Sequence, residues 1–162
     1  MSSRPASQLF DAYFTSAPMR QVFSDQGRVQ GMLDFEAGLA RAEAAAGVIP
    51  RALVADIEAA CRAELYDFDA LAIAIGSAGN SAIPLVKALG KRIAASNAEA
   101  ERYVHMGATS QDAMDSGLVL QLRAAIDLLE RDLATLSRQL AAQAQRHACL
   151  LYTSPSPRDQ RG

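Results

Sequence analysis

An all-α fold is predicted for this chain by three features of its 162 residues. Alanine is the commonest residue, β-branched runs are almost absent, and apolar side chains recur at three- and four-residue spacings instead of alternating. Alanine and leucine have the most favourable helix propensities, and a 3.6-residue period marks a helix that buries one face. The hydrophobic share of 50% and charged share of 21% suit one globular domain with a real core. A net charge of −2 provides no field that would gather nucleic acid or anionic lipid.

The elements follow in order. "SDQGRVQGMLDFEAGLARAEAAAG" (24–47) reads as the first strong helix, with Ser24 and Asp25 at the cap and first turn and Gly47 at the close. Its apolar face comprises Val29, Met32, Leu33, Leu39 and Ala40, with Phe35 and Glu36 between them. Pro50 then stands at the first helical position of "IPRALVADIEAACRAEL" (49–65). A third helix is expected from about Asp67, and a fourth from Asn80 or Ser81. The last helix is expected to run from about Ser110 to about Ala148, roughly 50 Å or more at ~1.5 Å per residue.

That last helix carries Leu122, Leu129 and Leu136 at seven-residue intervals, with Leu118, Ala125, Leu133 and Leu140 filling the stripe. A seam of this kind packs lengthwise against other long helices. The chain offers no second helix of that length, so the partners are expected in other chains or in further sequence. The expected organisation is an N-terminal helical domain over 1–108, the incomplete start of a long-helix bundle over 109–148, and a tail over 149–162. "CLLYTSPSPRDQRG" breaks the helical pattern abruptly, because Ser-Pro-Ser-Pro cannot extend a helix. It reads as foreign residues resembling a translated sequencing-library adapter, following a truncated native chain.

No apolar run approaches the ~20 residues that span a bilayer, and the N-terminus lacks a basic-then-apolar secretory layout. Cys61 and Cys149 form no disulfide framework, so a cytoplasmic location is expected. With His105 and His147 the only histidines, and no CxxC, HExxH, GxGxxG or Walker pattern, neither a metal nor a cofactor is expected.

Chemistry concentrates in "HMGATSQD" (105–112). Gly107 and Ala108 let a ligand approach the backbone, and Thr109 and Ser110 place two hydroxyls where the long helix begins. Unpaired N–H groups and about half a positive charge sit at a helix N-terminus, so added donors there receive a carboxylate or phosphate. Gln111 adds an amide, and His105 is able to donate or transfer a proton near neutral pH. Gly79, Asn80 and Ser81 repeat the design at a second helix start. Capping alone also accounts for such residues: Thr109 and Asp112 have the spacing of a capping box, and Lys87 and Arg102 read as solvated charges. Taken by themselves, these residues indicate a helical, oligomer-forming protein with an anion site.

"HMGATSQD" resembles a shared segment of the fumarase/aspartase superfamily: His, any residue, Gly, a small residue, Thr-Ser, any residue, Asp. Together with residues 8–50, "AGNSAIPLVKALGK" (78–91) and "ERYVHMGATSQDAMDSGLVLQLR" (101–123), it is most similar to the bacterial carboxymuconate cycloisomerase branch. The sibling adenylosuccinate lyases often carry an N-terminal Arg-Tyr pair for a nucleotide. Tyr13-Phe14 stands in that place here, which argues against a nucleotide substrate.

The resemblance implies a homotetramer whose long helices form a central bundle, and a cofactor-free reaction on a small tricarboxylate. One carboxylate would add across a conjugated double bond of 3-carboxy-cis,cis-muconate to give 4-carboxymuconolactone in protocatechuate degradation. Thr109 and Ser110 would hold a carboxylate, Asn80 and Ser81 would orient substrate, and His105 would be a polar contact or proton-transfer partner. The family's catalytic serine loop, Ser-Ser-x-Met-Pro-x-Lys-x-Asn-Pro, does not occur in this sequence. The polypeptide alone is therefore expected to be inactive. The alternatives are a sibling lyase and a non-catalytic helical scaffold.

Overall fold

The computed structural model describes residues 11–148, and every regular element among them is helical. The expected foreign tail, 149–162, lies outside the described residues. In chain order the elements are α1 (Asp11–Phe14), α2 (Ala17–Val22), α3 (Asp25–Ala45), α4 (Val54–Ala60), α5 (Phe68–Ala78), α6 (Ala82–Ala94), α7 (Ala98–Glu101) and α8 (Ser110–Arg146). Single 3₁₀ turns at Arg51–Leu53 and Ala63–Leu65 flank α4. Among the described residues no helix is long and apolar enough to cross a membrane.

Helix α3 starts and stops where its sequence says it should. Ser24 Oγ accepts the Gly27 N–H at 3.0 Å, and Gly47 takes the left-handed φ of +76° just beyond the end. It buries Val29, Met32, Leu33, Glu36, Ala37, Ala40 and Ala44, a stripe of three- and four-residue steps. Leu39, expected in the core, is only half-buried, because it lies one residue round from that stripe. Pro50 is not a helical residue: it precedes the 3₁₀ turn in an extended conformation, and α4 begins only at Val54. A 3₁₀ turn tightens the chain where it must fold back on α3 within a few residues. Gln30 pins that return, donating to the Cys61 carbonyl at 3.1 Å and accepting the Ala63 N–H at 2.8 Å.

Helix α3 packs on α4, α4 on α6 and α6 on α5, and Leu33, Ile57, Leu89 and Ile93, from α3, α4 and α6, are the largest fully buried side chains. Each such side chain contributes about 1.5–3 kcal/mol relative to full exposure. Asn97 caps α7 through its Oδ1 and donates from Nδ2 to Asp56 Oδ2 at 2.6 Å, joining α7 to α4. Helices α2 and α7 carry no long apolar period, and the sequence reading does not contain them.

The chain's contacts divide into two compact units between Ala125 and Ile126, within α8. In the first unit α8 buries Ala113, Gly117, Gln121 and Ala125, one residue per turn. Ala125 therefore faces its own chain and does not belong to the open leucine stripe in which it was expected. Helices α3 and α8 meet at glycines: a Cβ on Gly117 would stand 2.9 Å from the Met32 nitrogen, and one on Gly31 would stand 2.7 Å from the Gly117 carbonyl oxygen. Gln121 fastens the approach by donating to the Val22 carbonyl at 2.7 Å. The second unit is the remainder of α8, in which Leu129, Leu133, Leu136 and Leu140 are each more than 50% exposed.

Candidate active site

The two helix starts singled out by sequence are built differently. At α6, Gly79 ends the preceding helix in the left-handed region (φ +61°) and the chain turns at once. Asn80 is the cap: its Oδ1 accepts the N–H groups of Ala82 and Ile83 at 2.9 and 3.0 Å. The amide NH2 is the end of Asn80 left to donate. Ser81 makes no capping bond; its hydroxyl meets Met32 Sδ at 4.0 Å, on α3.

At α8 the capping box is formed. Asp112 Oδ2 accepts the Thr109 N–H at 2.8 Å and the Thr109 hydroxyl at 2.9 Å, while the Asp112 N–H points back to Thr109 Oγ1 at 3.4 Å. These bonds from the Thr109 N–H and hydroxyl hold the Asp112 carboxyl below its ordinary range. Gln111 is drawn along the helix, its Nε2 donating to Asp115 Oδ1 at 2.6 Å. Thr109, Gln111 and Asp112 are exposed and Ser110 is half-buried, so the first turn opens to solvent. The first N–H groups of any α-helix lack acceptors within the helix. An anion placed there meets those groups and the Ser110 hydroxyl, whereas the hydroxyl proton of Thr109 is committed to Asp112.

His105 is the strained residue of the turn before α8. Its φ of +57° is left-handed, a region open to Gly107 beside it (φ +70°) but costing a residue with a Cβ of order 1–3 kcal/mol. A side-chain contact offsets that strain. His105 Nδ1 lies 2.6 Å from Oε1 of Glu36, which is 3% exposed in the middle of α3. The other oxygen of Glu36 is buried without a protein partner. Burial raises the Glu36 carboxyl above its ordinary range, and the hydrogen bond and charge of His105 oppose that rise. Sequence reasoning noted Glu36 within the apolar face of α3 and assigned it no role. A glutamate at a core position is itself the signal, because buried carboxylates need a partner.

Met32 and Glu36 sit one turn apart on α3. Ser81 from the α6 start meets the first, and His105 from the α8 approach meets the second. Met32 also packs against Gly117, two turns into α8. The two starts therefore share one face of α3 as a common support. Among the described residues no hydrogen bond joins Asn80 or Ser81 directly to Thr109, Ser110 or Gln111. Lys87 and Arg102 are exposed, as solvated charges should be. Cys61 is buried, and burial pushes its thiol up to about 12, so it is not a nucleophile near neutral pH.

The sequence and the fold have close counterparts among known proteins. The 3-carboxy-cis,cis-muconate cycloisomerase of Pseudomonas aeruginosa is 74% identical over 148 residues, covering 91% of this chain and 32% of the relative. The crystal structure of the 3-carboxy-cis,cis-muconate lactonizing enzyme from Pseudomonas putida superposes with a TM-score of 0.84 at 70% identity, over 87% of this chain and 32% of that one. The β-carboxy-cis,cis-muconate cycloisomerase structure from Acinetobacter calcoaceticus sp. ADP1 gives 0.82 at 39% identity, over 86% and 33%. The chain thus spans about a third of the length of the curated relatives it matches. A family model described as lyase matches residues 6–154, and the chain belongs to that lyase family.

Proposed function

We propose that this chain forms one wall of the active site of a cofactor-free 3-carboxy-cis,cis-muconate cycloisomerase working in the cytoplasm. The observation that carries the reading is the open N-terminal turn of α8, with its capped Thr109, half-buried Ser110 and adjoining His105. In the reaction a substrate carboxylate oxygen bonds to a carbon of the conjugated diene. The electron pair of that double bond moves to the carbon next to another carboxylate, which takes up a proton. Negative charge grows on this second carboxylate before the proton arrives, so donors fixed in advance stabilise the transition state more than the ground state. Ser110, and Thr109 once its hydroxyl turns from Asp112, grip the carboxylate at the helix end, with Gln111 able to swing from Asp115 and add a donor. Asn80, through its NH2, and Ser81 orient the rest of the substrate. His105 exchanges or shares a proton.

Residues 109–148 begin the bundle domain of a homotetramer in which neighbouring subunits complete the site and supply the serine loop. The exposed leucines of α8 support that assembly, since an apolar stripe of this length calls for helical partners.

Ultraviolet assays on a chain extended to the relatives' full length test the reading. Loss of the diene absorbance of 3-carboxy-cis,cis-muconate, with adenylosuccinate left unchanged, is expected. Cleavage of adenylosuccinate alone would assign a sibling lyase activity, and turnover of neither would favour a scaffold.

A further inference from the structure

The buried pair between α3 and the turn before α8 deepens this reading, and it rests on His105 meeting the substrate. We propose that Glu36 is a positioning residue that fixes the ring of His105 so that Nε2 is the nitrogen offered to substrate.

Three observations lead there. The contact is short, 2.6 Å from Nδ1 to Oε1, and it bridges residues 69 apart in sequence, so α3 acts directly on the turn. Glu36 is 3% exposed whereas the His105 side chain is 16% exposed, so the carboxylate anchors from within while the ring reaches the surface. His105 also holds a left-handed backbone, a strained conformation in which its ring nonetheless makes the bond to α3. Glycine would occupy that backbone without strain, but it has no ring to present.

The chemistry follows from counting protons. One proton lies between Nδ1 and Oε1 whichever atom holds it, so Nε2 is the nitrogen left to gain or lose another. With Nε2 bare the ring accepts a proton; with Nε2 protonated it donates one. An orienting carboxylate of this kind sets which ring nitrogen works without touching substrate.

A double-mutant cycle separates positioning from mere packing. Glu36→Gln, His105→Gln and the double variant are made in the full-length enzyme, and kcat and KM for 3-carboxy-cis,cis-muconate are measured. An amide satisfies either ring tautomer, so Glu36→Gln should lower kcat at least about tenfold, at the lower edge of what proton-transfer groups contribute, with KM little changed. In the His105→Gln background the same change should alter kcat less than about twofold. Glu36→Asp, which keeps the charge, should retain more of kcat than Glu36→Gln. Should Glu36→Gln fail to fold, Glu36→Asp in both backgrounds decides, with kcat lowered only where His105 is present. Equal losses with and without His105, or an unchanged kcat in Glu36→Gln, would overturn the inference and leave the proposed reaction intact. Full activity in His105→Gln would instead overturn the role of His105 and, with it, that of Glu36.

Discussion

Thr109 shows how one residue serves a fold and a site together. Its hydroxyl and N–H bind Asp112, which makes the helix start rigid, and the same hydroxyl borders the open first turn. Spacing alone made the capping box legible, and the proposed anion site rests on the same residues. Glu36 was half legible, since its position on an apolar face stood out in the sequence while its partner 69 residues away did not. Such a pairing depends on the left-handed turn at His105, which no local propensity demands of a histidine.

The Asp112 cap carries a pH signature. Its carboxyl lies below the ordinary range in the folded chain, so its stabilisation is present above the unfolded-state range and is lost as pH falls through the folded one. Thermal melts of the parent and Asp112→Asn should therefore differ at neutral pH and converge in strong acid. A difference independent of pH would contradict the ion-stabilised cap.

At the scale of elements, the long helices were the readable ones. Helices α3, α5, α6 and α8 each have a cap residue or a sustained apolar period, and their bounds fall within a few residues of expectation. The short pieces have neither; α7 exists because Asn97 caps four residues and reaches Asp56. The inward face of α8 was hidden for another reason. Ala113, Gly117, Gln121 and Ala125 are small or polar, and closeness of backbones takes the place of large side chains there.

Gly117→Ala tests this packing. Helix propensity would return about 1 kcal/mol, but overpacking costs ~1–3 kcal/mol. The added methyl would meet the Met32 nitrogen and the Gly31 carbonyl carbon, backbone atoms that cannot rotate away. A lowered denaturation midpoint is expected, and a raised one would show that α3 and α8 do not meet at these glycines.

At the scale of the whole molecule, the leucine stripe was plain in the sequence, because a seven-residue repeat needs no knowledge of the fold. The occupant proposed for such a stripe was not, since a partner is not a local property. On the proposed bundle seam, replacing Leu129, Leu133, Leu136 and Leu140 by glutamine in the full-length protein should break the proposed tetramer and abolish turnover together. Analytical ultracentrifugation showing an intact tetramer would place the seam elsewhere.

The central claim is that the start of α8 clasps a substrate carboxylate as charge builds on it. Its most direct test is the turnover of 3-carboxy-cis,cis-muconate by a full-length Thr109→Ala/Ser110→Ala variant, read beside its thermal unfolding. Losing the cap should cost about 0.5–2 kcal/mol and leave the protein folded, while kcat falls by ~10²-fold or more, as for the removal of a transition-state donor. A folded variant that turns over at the parent rate would contradict the claim.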